Sequence, residues 1–175
     1  MKMYEKILKS INLLVQNSIE MQDKMKNDII PQKQPLSFAK EFCTIKVCSA
    51  RRSGHSTAIS KFLLSRCSKN KEKWALLSYN HQMSKANSQT CLKMIETESN
   101  YKYKAEHLSL DNIKFKNKGE IIFKSFFSNS IRGYDLDGII VDCATLFNRD
   151  KIDQLYNDGI ACMNTKEHKL FIFIE

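Results

Sequence analysis

Two short runs constrain this chain more than anything else in it: DGIIVDC (137–143) and KLFIFI (169–174). Neither alternates apolar with polar residues, so neither offers a face to water. Each reads as a strand covered on both sides. CTIKVCS (43–49) and WALLSY (74–79) are two further strand-like runs. Between them lie stretches with helical apolar spacing: Ser56 to Cys67, residues 81 to about 98, and 148 to about 162. Strands separated by helices imply an α/β domain with a mostly parallel sheet. NIKFK and EIIFKSF flank Asn117-Lys118-Gly119, a short glycine-ended loop that predicts a hairpin. Residues 2 to about 26 read as an amphipathic helix, with Tyr4, Ile7, Leu8, Ile11, Leu14 and Val15 at helical spacing. Such a helix either closes its own core or docks on a partner. PQKQP (31–35) follows as a connector.

At 175 residues and 42% hydrophobic content, one domain with a real core is expected. No apolar run is long enough to span a bilayer and no signal-peptide pattern opens the chain, so a soluble, intracellular protein is expected. Its net charge is +9, with lysines in loose groups at Lys69, Lys71 and Lys73, at Lys102 and Lys104, and at Lys114, Lys116 and Lys118. Those groups fit either attraction to nucleic acid or a solvated face. The six cysteines, Cys43, Cys48, Cys67, Cys91, Cys143 and Cys162, show no metal-ligand spacing, and most are expected as small buried apolar residues.

The chemistry-bearing stretch is Ser49, Ala50, Arg51, Arg52, Ser53, Gly54, His55, Ser56, followed by Thr57. It joins a strand to a helix in the layout of a phosphate-binding loop, G-x-x-x-x-G-K-[ST]. Small residues and Gly54 let backbone N–H groups curl around phosphate oxygens. The helix beginning near Ser56 aims its N-terminus at the anion, and the Ser56 hydroxyl is placed to reach Mg²⁺. His55 stands where the motif requires lysine. An imidazole is shorter and, unperturbed, largely neutral at pH 7. Arg51 and Arg52 are the cations that can substitute, because guanidinium binds phosphate well. The second piece is Asp142, at the end of an apolar strand, where a carboxylate holds Mg²⁺ beside such a loop. Cys143 follows it, where nucleotide-hydrolysing proteins carry a water-orienting glutamate.

Together these segments resemble the ATPase domain of the terminase large subunit, the DNA-packaging motor of tailed phages and herpesviruses. The likeness runs from Phe38 to the last residue, about four-fifths of the chain. CSARRSGHST is similar to that family's first motif, and WALLSYNHQMSKANSQ to the strand and helix after it. SNSIRGYDLDGIIVDCATLF, with Ile131-Arg132-Gly133 ahead of the apolar strand, is the most specific segment. KLFIFIE resembles the strand carrying the family's coupling motif.

The resemblance implies a P-loop NTPase-type fold: a mostly parallel sheet flanked by helices, with strand 169–174 between the 43–49 and 137–143 strands. The expected organisation is an N-terminal helix and connector over 1–37 and an ATPase-like domain over 38–175, which departs from a terminase in lacking the nuclease domain that follows there. ATP and Mg²⁺ are the implied cofactors. Ser49 to Thr57 would cradle phosphate, Ser56 and Asp142 would hold the metal, and Arg132 would sense phosphate. Implied partners are other viral packaging proteins and, weakly and without sequence preference, DNA. The implied location is the host cell, in the nucleus if the relative is herpesviral and the cytoplasm if it is a phage.

The departures at His55 and Cys143 leave three expectations open. One is nucleotide binding with crippled hydrolysis. Another is a non-enzymatic interaction protein on the same fold. The third is an ATPase with a substitute carboxylate, for which Glu120, Asp135 and Asp137 are candidates.

Overall fold

The computed structural model describes residues 1–26, 33–48, 53–98, 100–126 and 131–175. Its framework is one seven-stranded sheet in the order β1-β7-β6-β2-β5-β4-β3. The strands are β1 (Thr44–Val47), β2 (Lys73–Ser78), β3 (Ala105–Leu108), β4 (Asn112–Phe115), β5 (Glu120–Ser125), β6 (Gly138–Val141) and β7 (Phe171–Ile174). Neighbours from β1 through β5 pair in parallel. β4 and β3 add antiparallel strands at the far side. β7 does lie between β1 and β6, and all four residues of each of β6 and β7 are buried. An apolar strand without alternation fits here because helices cover both faces.

The helices are α1 (Met3–Met25), α2 (Pro35–Phe42), α3 (His55–Asn70), α4 (His81–Thr97), α5 (Asn100–Tyr103) and α6 (Arg149–Cys162). On one face α1, α3 and α4 bury Ile11, Val15, Ile59, Phe62, Leu63 and Ile95 against Ile45, Leu76, Ile140 and Ile172. On the other, α2 and α6 bury Ala39, Leu155 and Tyr156 against Ala75, Ile139 and Phe171. The alternation along each strand thus divides one apolar run between two cores. Trp74 is fully buried and packs edge-on to Phe62 at 5.1 Å between centroids, while its indole N–H donates to Glu72 at 2.7 Å.

α1 therefore belongs to the core of the domain. Its polar buried residues fix it as well. Ser18 donates to the Phe42 carbonyl at 2.7 Å. Gln22 donates to the Lys169 carbonyl at 2.9 Å and accepts from the Lys169 N–H at 3.0 Å, pairing with that backbone much as a strand would. β1 is the sheet's end strand among the described residues. α1 covers the face bearing Ile45 and Val47, while Lys46 stays exposed between them, a charge that discourages edge pairing.

α2 and β3 are among the elements that the sequence-based expectation lacks. The connector reading missed α2, which starts with Pro35 at its first position, where proline is tolerated because no N–H is needed. β3 was missed because AEHL is polar and mostly exposed; only its pairing with β4 makes it a strand. The cysteines behave as expected for the most part. Cys43, Cys67, Cys91 and Cys162 are buried, Cys143 is half-buried and Cys48 is exposed. Burial pushes the Cys91 thiol up to about 12. No described helix is long and apolar enough to cross a membrane.

Two outcomes are expected from this packing. Ile11→Ala, which empties a fully buried α1 position, should cost about 2–4 kcal/mol in urea unfolding, whereas Leu13→Ala on the exposed side should cost almost nothing. An equal, small effect of both would mean that α1 is not core. The second concerns Glu98, held down to about 2 by hydrogen bonds from Lys102, Lys61 and Tyr103. Because this lies below its ordinary value of 4.5, its contribution is complete above about pH 4.5 and vanishes as pH falls through about 2. Partial exposure limits it to roughly 1 kcal/mol. Glu98→Gln should be less stable than wild type at pH 7, with the difference closing toward pH 2.

Candidate nucleotide site

His55 at the start of α3, Asp142 after β6 and Glu175 after β7 meet at the carboxyl end of the parallel strands, the edge where open α/β sheets bind ligands. Gly54 sets the entry to α3. Its φ of +85° lies in the left-handed region, and a Cβ added there would sit 3.1 Å from the Tyr4 Cβ at the start of α1. Any other residue would meet both strain and a neighbour. The Ala58 N–H donates to the Gly54 carbonyl at 3.0 Å and closes the first turn. Glycine offers no side chain to cap the remaining first-turn donors of α3.

Asp142 continues from β6, its N–H donating to the Leu77 carbonyl of β2 at 2.9 Å. Its carboxylate is buried. Oδ2 accepts from Asn87 Nδ2 at 2.8 Å, and the same amide reaches Ser78 Oγ at 3.1 Å. On the other side Oδ1 lies 3.8 Å from His55 Nε2 and accepts from the Cys143 thiol at 3.7 Å. The fold thus brings the first residue of α3 against the carboxylate that ends β6. Cys143 has φ +57°, a left-handed conformation that costs a non-glycine residue free energy, and a short 3-10 turn, Ala144–Leu146, follows it.

A cavity of about 250 Å³ opens on this group, lined by His55, Asp142, Cys143, Thr145, Leu146, Ile174 and Glu175. Two polar atoms at the start of α3 are buried without a hydrogen-bond partner among the described residues: Ser53 Oγ and His55 Nδ1. Buried unpaired polar atoms are uncommon and each carries a desolvation cost.

Among the residues expected from the sequence, Ser53, Gly54, His55, Ser56 and Thr57 lie at the start of α3, with Asp142 and Cys143 beside His55. Ser49, Ala50, Arg51 and Arg52 lie outside the described residues. Arg132 is not brought to the group: its Nε pairs with Asp158 Oδ1 at 3.0 Å in the crossover leading to the amino end of β6. The substitute carboxylates also lie at the amino end. Glu120 accepts from Asn112, Asp135 from Thr165 and Lys166, and Asp137 from the Lys73 N–H. Sequence reasoning missed Asn87, Ser78 and Glu175. Asn87 carried one legible signal, a polar residue on the inward side of a helix. Glu175 is the further acid lining the cavity; its Oε2 accepts from the Cys48 thiol at 3.7 Å and its Oε1 lies 3.6 Å from Lys46 Nζ.

The group thus sits at the carboxyl end of a mostly parallel α/β sheet flanked by helices, with a glycine-led helix after one strand and a buried aspartate after a strand two places away. Solved structures narrow the class. The chain is similar to the large terminase of bacteriophage HK97, with TM-score 0.64 and 15% identity over 76% of this chain and 29% of that one. It is similar to the large-terminase ATPase domain of Thermus phage P74-26, with TM-score 0.58 and 14% identity over 74% of this chain and 58% of that one. A third likeness, to the large terminase of a thermophilic bacteriophage, has TM-score 0.56 and 16% identity over 83% and 36% of the two chains. The chain has the fold of a terminase ATPase domain and spans less than two thirds of each of these proteins. No protein-family profile and no curated protein matches the sequence.

Asn87 is the strongest neutral donor to the buried carboxylate. Asn87→Ala should therefore lower stability by about 1–3 kcal/mol, because Asp142 stays buried with one donor fewer. Chemical denaturation checks this, and an unchanged midpoint would show that water replaces the amide.

Proposed function

We propose that this protein is a terminase-type nucleotide-binding protein of viral DNA packaging that takes ATP with Mg²⁺ at the carboxyl end of its sheet and hydrolyses it very slowly or not at all. The observation carrying this reading is the placement of the buried Asp142 carboxylate 3.8 Å from His55, at the uncapped, glycine-led start of α3.

The residues present fit the group. Phosphate oxygens offer acceptors to the first-turn N–H groups of α3 and partners to Ser53 Oγ and His55 Nδ1, both unpaired among the described residues. Ser56 and Asp142 supply the hydroxyl and carboxylate that suit a hard cation. The bound metal would supply neutralisation of phosphate charge. Asn87 orients the carboxylate by holding one of its oxygens.

The same residues explain weak hydrolysis. Imidazole replaces the longer, fully charged lysine at His55, and a thiol replaces the water-orienting carboxylate at Cys143. Loss of one preorganised contact at a transition state costs about 10²–10³ in rate. On this reading the protein acts through other viral packaging proteins inside the host cell, with DNA as a weak, sequence-independent partner.

A second reading has its own observation. Asn87, Cys143 and His55 already surround the Asp142 carboxylate, so that carboxylate has partners without a ligand. That favours an interaction protein keeping the terminase fold with a closed site.

Thermal unfolding separates the two. ATP with Mg²⁺ should raise the midpoint, since a ligand that binds only the folded state stabilises it. His55→Lys should enlarge that rise. No rise at millimolar nucleotide in either protein supports the closed site. Phosphate release should stay far below about 1 s⁻¹, the lower end for kinases. Turnover near that rate, abolished by Asp142→Ala, would overturn the impaired-hydrolysis reading.

A further inference from the structure

The lysine groups that are scattered in the sequence converge in the fold. α3 runs from the nucleotide site to the amino end of the sheet, where it stops at Asn70 and Lys71. The β4–β5 turn docks there: Asn117 Nδ2 donates to the carbonyls of Cys67 at 3.0 Å and Ser68 at 2.8 Å. Gly119 lies so close to Cys67 that an added Cβ would fall 2.0 Å from its carbonyl oxygen. The Glu120 N–H donates to the Glu72 carbonyl at 3.0 Å, and the Lys116 N–H donates to the Lys104 carbonyl at 3.1 Å. These bonds tie the segments bearing Lys69, Lys71, Lys104, Lys116 and Lys118 into one surface. All five side chains are exposed, and none forms an ion pair among the described residues.

Acids on this surface are few or engaged. Glu72 is held by Arg66 and Trp74, Glu98 by Lys61 and Lys102, and Glu120 by Asn112 with Lys114 nearby; Glu106 is exposed on β3. Three of the lysines also occupy left-handed backbone positions: Lys71 at φ +62°, Lys104 at +48° and Lys118 at +73°. Glycine or asparagine is the unstrained choice at such a position. Here lysine stands at three separate turns that the fold gathers at one end of the sheet.

We propose that this lysine surface, formed by the end of α3, the start of β3 and the β4–β5 turn, is a docking site for the phosphate backbone of a nucleic acid, at the opposite end of the sheet from the nucleotide site. Five ammonium groups, four on turns and Lys69 in the last turn of α3, none ion-paired among the described residues, suit a regular line of phosphates, which attracts them without base contacts. The surface shares no residue with the nucleotide site, so it stands or falls independently of nucleotide binding.

The test is fluorescence anisotropy with a labelled duplex of about 20 base pairs across about 50–200 mM salt. The variant Lys69→Gln, Lys71→Asn, Lys104→Asn, Lys116→Gln, Lys118→Asn removes five charges while placing asparagine where the backbone is left-handed. A control removes five exposed charges elsewhere: Lys6→Gln, Lys9→Gln, Lys24→Gln, Lys85→Gln and Lys93→Gln. Affinity of the first variant should fall at least tenfold, with a salt slope reduced by about four to five, since each phosphate contact adds about one. The control should keep most of its affinity. Equal loss in both variants would show attraction to net charge alone and overturn the proposal. So would unchanged binding by the first variant, or displacement of DNA by poly-glutamate of equal charge at equal concentration, which would indicate an acidic protein partner. The double variant Lys69→Gln, Lys116→Gln leaves every left-handed residue in place and should show a partial loss even if the larger variant folds poorly. Full affinity in the double variant would overturn the proposal.

Discussion

The structure depends on burying a parallel sheet from both sides. β6 and β7 have no residue fit for water, so the chain must supply a helical layer to each face. α3 and α4 cover much of one face, yet β1 and the flank of β7 require α1 as well, which brings Ile11 and Val15 onto Ile45 and Ile172. α2 and α6 close the other face. The N-terminal helix is therefore a structural layer, and the polar bonds of Ser18 and Gln22 set its position along the sheet.

That layering also places the chemistry. Parallel strands send all their carboxyl ends to one side, so His55 at the start of α3, Asp142 after β6 and Glu175 after β7 arrive together with no sequence proximity. The start of α1 adds a contact there through Tyr4 and Gly54, linking the layer that completes the core to the turn that begins α3. The opposite end of the sheet receives the end of α3, the β4–β5 turn and the start of β3, and with them the unpaired lysines. One topological rule thus separates an acid-centred cavity from a cationic surface.

Much of this was legible. Unbroken apolar runs identified β6 and β7, and the strand–small turn–helix pattern located Gly54 and the start of α3. The hairpin loop announced itself through Asn117 and Gly119. What escaped had physical reasons. α2 opens on a proline inside a segment whose other residues read as a connector. β3 has little strand propensity and exists through pairing alone. Asn87 and Glu175 joined the site because tertiary packing carried them there, with no local motif to mark them. Arg132 looked suited to phosphate from its place ahead of β6, but that crossover runs to the amino end and gives it to Asp158.

The sequence alone determined the class of fold, because hydrophobic pattern and turn chemistry are local properties that act wherever the chain lies. It also determined the residues on offer at the cavity: an imidazole, His55, at the start of α3 and a thiol, Cys143, after β6. Tertiary structure alone decided which groups meet. It set His55 beside Asp142, gave that carboxylate its amide partner, and gathered lysines some 50 residues apart in the chain onto one surface. Those encounters arise from strand order and helix direction, which are fixed only when the whole sheet closes its two cores.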